Sequence, residues 1–386
     1  MKKILACLLI CVLTASMLTA CSPGSGSDPD EIRIGINYEL SGDNATYGQG
    51  SVEGIEMAIE EINAAGGIKG KKIKPIKYDN ESKPSEAATL ANKLVSQDKV
   101  VAILGPATTG AFTSQIPVAN RNKIPIATGS ATGDNLTFAT DGSVHPYVFR
   151  ICFNDSFQGR VMANFAFENL SATKAVIIMD SSSDYGKGLA SNFKETFTSL
   201  GGTVVAEEAY VAGDTDFNAI LTKIKSMDFD AIYIPGYYNE AGLIIRQART
   251  LGIDKPILGA DGFDSPDLAK LAGNDALNNV YFTNHYTSIN DDPAVLKFIA
   301  DFEAKYGKKP DAFNALGYDL AKFVADAIER AESLNGEDIK NALEATENFV
   351  GITGTLSVDE NHNPVKSIFV IELKDGVQHS SIKVNP

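Results

Sequence analysis

Val100-Val101-Ala102-Ile103-Leu104-Gly105-Pro106-Ala107-Thr108-Thr109-Gly110 begins as an apolar, β-branched run, turns on Gly-Pro, and ends on small hydroxyl residues. The run reads as a strand at 100–104, and the residues from Gly110 to Arg121 read as a helix with Thr109 as its N-cap. Strand, short loop and helix repeated in one direction give parallel sheets covered by helices on both faces. The same alternation extends outward from this unit. Before it lie a strand at 32–37, a helix at 50–65, a strand at 73–78 and a helix at 84–97. The helix at 50–65 carries Val52, Ile55, Ala58, Ile59 and Ile62 at helical spacing and stops at Gly66-Gly67. A strand at 124–128 follows, and these elements make one lobe.

A second series repeats the architecture, with strands at 174–180, 203–209, 230–235 and 256–260 and helices at 157–169, 185–200, 217–227 and 240–251. After a strand at 280–283 come three helices, near 293–306, 313–333 and 336–346, added to an existing lobe. Residues 351–358 and 367–373, around a polar turn at 359–364, read as a final hairpin. The expected fold class is α/β, with two doubly wound parallel-sheet lobes.

With 386 residues, 44% of them hydrophobic, the chain has material for two domains of the usual ~100–200 residues. A formal net charge of −15 repels phosphate backbones and argues against nucleic acid as a partner. Residues 1–20 show the zones of a secretory signal: Lys2 and Lys3, an apolar run from Ile4 to Leu18, and the small exit Thr19-Ala20. The exit Leu18-Thr19-Ala20-Cys21 resembles the bacterial lipobox. That resemblance implies a diacylglyceryl group on Cys21 and stable anchoring through two acyl chains. Residues 21–30, rich in Ser, Gly, Pro and Asp, read as a flexible tether. Cys7 and Cys11 leave with the signal. Cys152 then has no partner for an internal disulfide, and a cysteine metal cluster is unavailable.

Doubly wound proteins bind ligands in the crevice at the carboxyl ends of their strands, so the loops after strands hold the candidate site. Thr109, at a helix start with free N–H groups and a positive dipole end, suits an anion such as an α-carboxylate. Gly129-Ser130-Ala131-Thr132-Gly133 follows the next strand, and its small residues let a ligand approach closely. With Ala131 at the centre it is not a nucleophile elbow. Gly48-Gln49-Gly50 with Gly54 stands about ten residues beyond its strand, too far for a dinucleotide fingerprint, and leaves Tyr47 to offer an aromatic face. In the second series Tyr185, Tyr237 and Asp261 fall on loop ends after strands. An acidic loop opposite an anion-binding helix start suits a zwitterion. Taken singly, each residue also fits a plainer role: Thr109 as an ordinary cap, Asp261 as a turn opener before Gly262, the tyrosines as rim packing. His145, His285, His362 and His379 lack metal-ligand spacing, and Cys152 reads as a small packing residue. No acid/base pair stands out, so neither an enzyme nor a cofactor is expected.

Ser41-Gly42 with Tyr47-Gly48, the run Ile62-Asn63-Ala64-Ala65-Gly66-Gly67-Ile68, and Gly105-Pro106 with Thr109-Gly110 belong to a wider pattern. It continues in Asp184-Tyr185-Gly186-Lys187-Gly188, Gly236-Tyr237-Tyr238 and Arg246-Gln247-Ala248-Arg249. Across essentially the whole chain after Glu31 it resembles the periplasmic leucine/isoleucine/valine-binding proteins, the branched-chain amino acid class of ABC-transporter solute-binding proteins. The resemblance implies a periplasmic-binding-protein-like type I fold with three crossovers, near 150–153, 283–287 and 355–358. Lobe 1, carboxylate-binding, would be 31–150 with 286–356; lobe 2, ammonium-binding and closing, would be 151–285 with 357–386. It assigns Thr109 to the α-carboxylate, and the Ser130-Ala131-Thr132 loop to carboxylate and ammonium together, Ser130 through its backbone. Asp261 is assigned to the ammonium, and Tyr47, Tyr185 and Tyr237 to the ligand's surroundings, with Phe282 or His285 lining the same space. Two departures stand out. Asp261 replaces the Glu of the best-known members, and Ser82 and Thr108 replace a disulfide found beside the carboxylate loop in some members, so packing is expected to anchor that loop.

The expectation is a monomeric extracytoplasmic lipoprotein that hands a free amino acid, branched-chain or similarly apolar, to a membrane ABC permease. The alternative is a sensing domain of the same fold for an amino acid, amide or urea-like solute.

Overall fold

From Ile34 onward every residue of strand β1 (Glu31–Tyr38) is buried, which requires cover on both faces and fits a parallel sheet inside helices. The computed structural model describes residues 31–386, so the signal, Cys21 and tether readings lie outside the described residues. Helix α1 (Ala45–Ala64), β2 (Lys72–Asp79), α2 (Pro84–Ser96), β3 (Ala102–Leu104), α3 (Thr109–Asn122), β4 (Ile126–Thr128) and β5 (Val148–Arg150) follow. They form a five-stranded sheet in the order β2-β1-β3-β4-β5, in which β1/β3, β3/β4 and β4/β5 are parallel.

The chain then builds α4 (Asp155–Asn164), β6 (Lys174–Asp180), α5 (Asp184–Ser199), β7 (Thr203–Tyr210), α6 (Asn218–Lys225), β8 (Ala231–Tyr233), α7 (Tyr238–Thr250), β9 (Ile257–Gly259), α8 (Pro266–Ala272) and β10 (Val280–Asn284). Three helices, α9 (Pro293–Tyr306), α10 (Ala312–Arg330) and α11 (Gly336–Glu344), come next, as expected, without a strand between them. The last strands are β11 (Phe349–Gly351), β12 (Gly354–Val358), β13 (Pro364–Val365), β14 (Ile368–Lys374) and β15 (Val377–Val384). The second sheet has seven strands in the order β15-β14-β10-β9-β8-β6-β7, parallel from β10 to β7 and antiparallel at β10/β14 and β14/β15.

Three departures from the sequence reading change how the chain is laid out around the cleft. First, α1 begins at Ala45 rather than at Gly50, so Tyr47 stands in the first turn of the helix. The glycines responsible are packing residues. A Cβ at Gly48 would lie 2.0 Å from the Glu39 carbonyl oxygen, one at Gly54 2.0 Å from that of Asn314, and one at Gly317 2.0 Å from that of Ser51. Their absence lets α1 lie directly against α10 and the end of β1. Second, the helix expected over 157–169 is α4 continued by a π turn at Phe165–Asn169.

Third, the final hairpin is not the pairing of 351–358 with 367–373. β12 pairs with β11 and β13 in a separate three-stranded sheet, whereas β14 pairs with β10 and with β15, a strand the sequence reading missed. The alternation of polar and apolar residues in Val377–Val384 is weak, and half of its side chains are exposed. The expected crossover at 355–358 therefore lies inside β12, and the chain reaches the seven-stranded sheet only after Val365.

Candidate functional site

The loop after β3 is built around a carboxylate that the sequence reading overlooked. Glu39, fully buried just beyond β1, accepts hydrogen bonds from Ala107 N (2.9 Å), Thr108 N (3.1 Å) and Thr108 Oγ1 (2.8 Å). Burial pushes the Glu39 carboxyl upward, while these donors pull it back. The anchor of this loop is thus a set of hydrogen bonds, where packing alone was expected. Gly105, at φ +87°, makes the turn possible, since a Cβ there would fall 2.4 Å from the Tyr38 ring.

Thr108, not Thr109, is the N-cap of α3, and its hydroxyl is turned to Glu39 and makes no bond to the helix. Thr109 is the first helical residue. Its Oγ1 accepts from Gly133 N at 3.1 Å, which ties the loop after β3 to the loop after β4 and leaves the hydroxyl hydrogen free to donate.

That second loop is held from below. Thr128 Oγ1 donates to Pro106 O (2.7 Å) and accepts from Ala131 N (3.1 Å), Ser130 Oγ donates to Ala107 O (3.0 Å), and Arg150 Nη1 donates to the carbonyls of Thr132 (3.1 Å) and Gly133 (2.8 Å). Arg150 also reaches Asn363 Oδ1 at 2.7 Å through Nε, so the same side chain joins this loop to the segment between β12 and β13. Cys152, fully buried, donates its Sγ–H to Ala131 O (3.1 Å), and burial pushes the thiol up to about 12. Asp155, also fully buried, lies against the Thr132 hydroxyl. Burial, with nearby Asp261 acting in the same direction, leaves its carboxyl well above the usual range.

On the facing side the loops after β6, β8 and β9 converge. Tyr185 stacks on Tyr237 at 5.0 Å with 6° between the rings, and Tyr47 packs edge-on to Tyr237 (5.6 Å) and stacks on Phe313 (4.3 Å). Tyr185 donates its hydroxyl to Asp261 Oδ1 at 2.6 Å and accepts from Gly262 N at 3.0 Å. His285 Nε2 stands 3.1 Å from Asp261 Oδ2, and the imidazole stacks on Phe153 at 3.6 Å. Burial holds His285 down to about 4 against the pull of Asp261, so the neutral ring donates to the carboxylate as a hydrogen bond rather than an ion pair.

Between these halves lies a narrow cleft lined by Tyr47, Thr109, Ser130, Tyr185, Tyr237 and Asp261 together with Ala107, Thr108, Gly262 and Phe313. Among the expected site residues, Ala131, Thr132 and His285 do not line it. Ala131 and Thr132 are turned into the packing beneath the loop, and His285 stands behind Asp261 as its support. Phe282 is buried against Phe263, away from the cleft. Phe313 was missed because it follows no strand, and Glu39 because its partners, Ala107 and Thr108, lie some seventy residues away in sequence. The cleft is shut across its mouth: Tyr47 donates to Gly262 O (2.5 Å) and accepts from Tyr238 N (3.2 Å), Tyr238 and Asn239 donate to Asp43 O (2.8 and 2.7 Å), and Thr46 meets Ser265 at 3.0 Å. Among the described residues, no group of three or more His, Cys, Asp and Glu side chains is placed to hold a metal. No helix there is long and apolar enough to cross a membrane.

Two α/β halves meeting at the carboxyl ends of their strands over a small enclosed cleft is the architecture of an extracytoplasmic solute receptor, and a family model described as periplasmic binding protein matches residues 31–378. The chain belongs to the periplasmic binding protein family. Members of this family bind solutes and are not enzymes. A curated family member, Leu/Ile/Val-binding protein homolog 3 of Brucella melitensis biotype 1, is 32% identical over 86% of this chain and 88% of its own. Among solved structures, the branched-chain amino acid transporter substrate binding protein LivJ of Streptococcus pneumoniae, in complex with isoleucine, is 42% identical with a TM-score of 0.87, over 92% of this chain and 100% of that one. The leucine binding protein LivK of Thermotoga maritima is 37% identical with a TM-score of 0.86, over 92% and 99%. The periplasmic binding protein fold expected from the sequence is therefore the fold observed.

Proposed function

We propose that this periplasmic binding protein captures an amino acid with an apolar, branched side chain and delivers it to an ABC permease. The observation that carries the reading is the placement of a buried carboxylate, Asp261, and a hydroxyl-bearing helix start, Thr108-Thr109, on opposite walls of one cleft. A zwitterion matches those walls: its carboxylate to Thr109 and the Ser130 loop, its ammonium to Asp261, and its side chain to the aromatic lining of Tyr47, Tyr185, Tyr237 and Phe313. The isoleucine bound to the Streptococcus relative supports the choice of ligand class.

In this reading the lobes are 31–150 with 286–365 and 151–285 with 366–386. The second boundary is moved from 356 to 365 because β12 and β13 pair with one another and not with β14. The free protein opens about the three connections and the ligand stabilises the closed form. The single protein chain is attached to the outer face of the cell membrane by lipid on Cys21, a position in the Leu18-Thr19-Ala20-Cys21 exit.

Mass spectrometry of small molecules released by denaturing gently purified protein, followed by a thermal-shift panel of amino acids, tests the ligand. Isoleucine, leucine or valine is expected to raise the melting temperature, and a panel in which no zwitterion does so overturns the reading.

A further inference from the structure

We propose that Asp264 is a latch of the closed state, and that closing the cleft takes up a proton shared between Asp264 and Asp311. The inference rests on the two-lobe capture reading. Asp264 follows the 3-10 turn Asp261–Phe263, one residue beyond the wall that presents Asp261. Its Oδ2 accepts from Asn284 Nδ2 (2.8 Å) on its own side and from Ala312 N (2.9 Å), the first N–H of α10, on the other. That helix start already has a carboxylate. Asp311 is its N-cap and accepts from Asn314 N (3.0 Å), while Asn314 Oδ1 accepts from Asp311 N (2.9 Å), a reciprocal capping box.

Closure therefore brings two carboxylates from opposite walls to one helix end, both partly exposed by their surface and both hemmed in by protein. The charged and titratable neighbours do not neutralise the pair. Lys308 is the cation nearest Asp311, but it is bonded to Glu53 of α1 at 2.8 Å. Tyr286, at the end of β10, is buried behind both acids with no hydrogen-bond partner for its hydroxyl. Asp261, with neutral His285 at its back, adds a like charge on the Asp264 side. Burial first, and Asp264 second, push the Asp311 carboxyl up to about 7, and burial raises Asp264 against the pull of Asn284 and Ala312. Opening parts the acids and returns each to water and to an ordinary carboxylate range near 4. A carboxyl whose pKa is higher in the closed form favours closing at low pH, and that advantage is lost as pH rises through about 7.

L-isoleucine calorimetry at pH 5.5 and 8.5, repeated in buffers of different ionisation enthalpy, and X-ray scattering of the ligand-free protein at both pH values test the latch. The wild type is expected to take up a proton fraction on binding and to lose affinity on the order of tenfold between the two pH values, one unit of pKa displacement after allowance for solvent screening. Asp311→Asn keeps the cap, since Asn caps as well as Asp, and is expected to bind without proton uptake and with a flat pH profile. Asp264→Asn, which keeps an acceptor for Ala312 N but removes the second cause of the Asp311 shift, is expected to make the profile shallower and the proton uptake smaller. Unchanged proton uptake in both variants, or a wild type whose affinity ignores pH, overturns the proposal. If isoleucine binds at neither pH the ligand reading fails, and scattering decides the latch alone. A wild type more compact at pH 5.5 than at 8.5, with Asp311→Asn compact at both, upholds the latch; identical pH responses sink it.

Discussion

The Tyr185 hydroxyl donates to Asp261 Oδ1 at 2.6 Å, and so joins the start of α5 to the loop after β9. With His285 on the other oxygen, the Asp261 carboxylate is fixed at both ends by neutral donors of the protein itself. Orientation of this kind removes an ordering cost from the binding step, because the acceptor already faces the site where a cation would arrive. It also accounts for how an aspartate serves here. A shorter arm is acceptable where flanking donors set its position.

Replacing Asp261 by Ala strips the proposed ammonium partner from a buried site. A buried charge deprived of its partner costs roughly 3–5 kcal/mol, so isoleucine affinity measured by calorimetry is expected to fall by about three orders of magnitude. Parent-like binding by Asp261→Ala would show that the ligand's charge is met elsewhere.

His285 gives a pH signature of stability. Its folded-state value, about 4, lies below the ordinary 6.5, so the neutral ring is favoured in the fold. The contribution is complete above pH 6.5 and is lost as pH falls toward 4, for a total on the order of 3 kcal/mol. Urea midpoints between pH 7 and 4 should therefore drop more steeply in the wild type than in His285→Gln, whose amide still donates to Asp261. Equal slopes would mean that His285 is protonated in the native protein.

The repeating unit at 100–121 carried the architecture because parallel sheets buried on both faces leave a plain local signature: a short β-branched run, a small-residue turn, an amphipathic helix. Tyr47, Thr109, Ser130, Tyr185, Tyr237 and Asp261 were legible for the same reason, since each sits near the end of a strand or the start of a helix. What escaped was set by tertiary contact. Glu39 stands between β1 and the Ser41-Gly42 turn, and only its three donors, at Ala107 and Thr108, reveal its purpose. Ala131 and Thr132 share the Ser130 loop, yet the carbonyl anchors from Arg150 decide which of its residues faces the cleft. The β14/β15 pairing was hidden because an edge strand that exposes half of its side chains, Val377 and Ile382 among them, without regular alternation resembles a solvated tail.

Glu39→Ala leaves Ala107 N, Thr108 N and the Thr108 hydroxyl without their acceptor. Each buried donor so stranded costs about 1–3 kcal/mol, so the variant is expected to melt lower. It should also bind isoleucine more weakly, because the start of α3 is no longer held in place. The paired measurement is thermal unfolding with and without isoleucine. A Glu39→Ala protein that is destabilised yet shows the wild-type ligand-induced shift would separate this carboxylate from ligand binding.

Tyr47→Phe tests closure without disturbing the aromatic wall. The ring keeps its stack on Phe313 and its edge contact with Tyr237, while the hydroxyl that donates to Gly262 O and accepts from Tyr238 N is removed. Both partners belong to the opposite lobe in the proposed division, so the loss falls on the closed form. A net hydrogen bond contributes about 0.5–1.5 kcal/mol, which corresponds to a roughly two- to twelvefold weaker complex. The change should appear mainly as faster release, since lobe closure governs escape more than encounter. Stopped-flow displacement of isoleucine reads that rate directly. An unchanged release rate together with unchanged affinity would place Tyr47 in the wall of the cleft only, with no part in holding it shut.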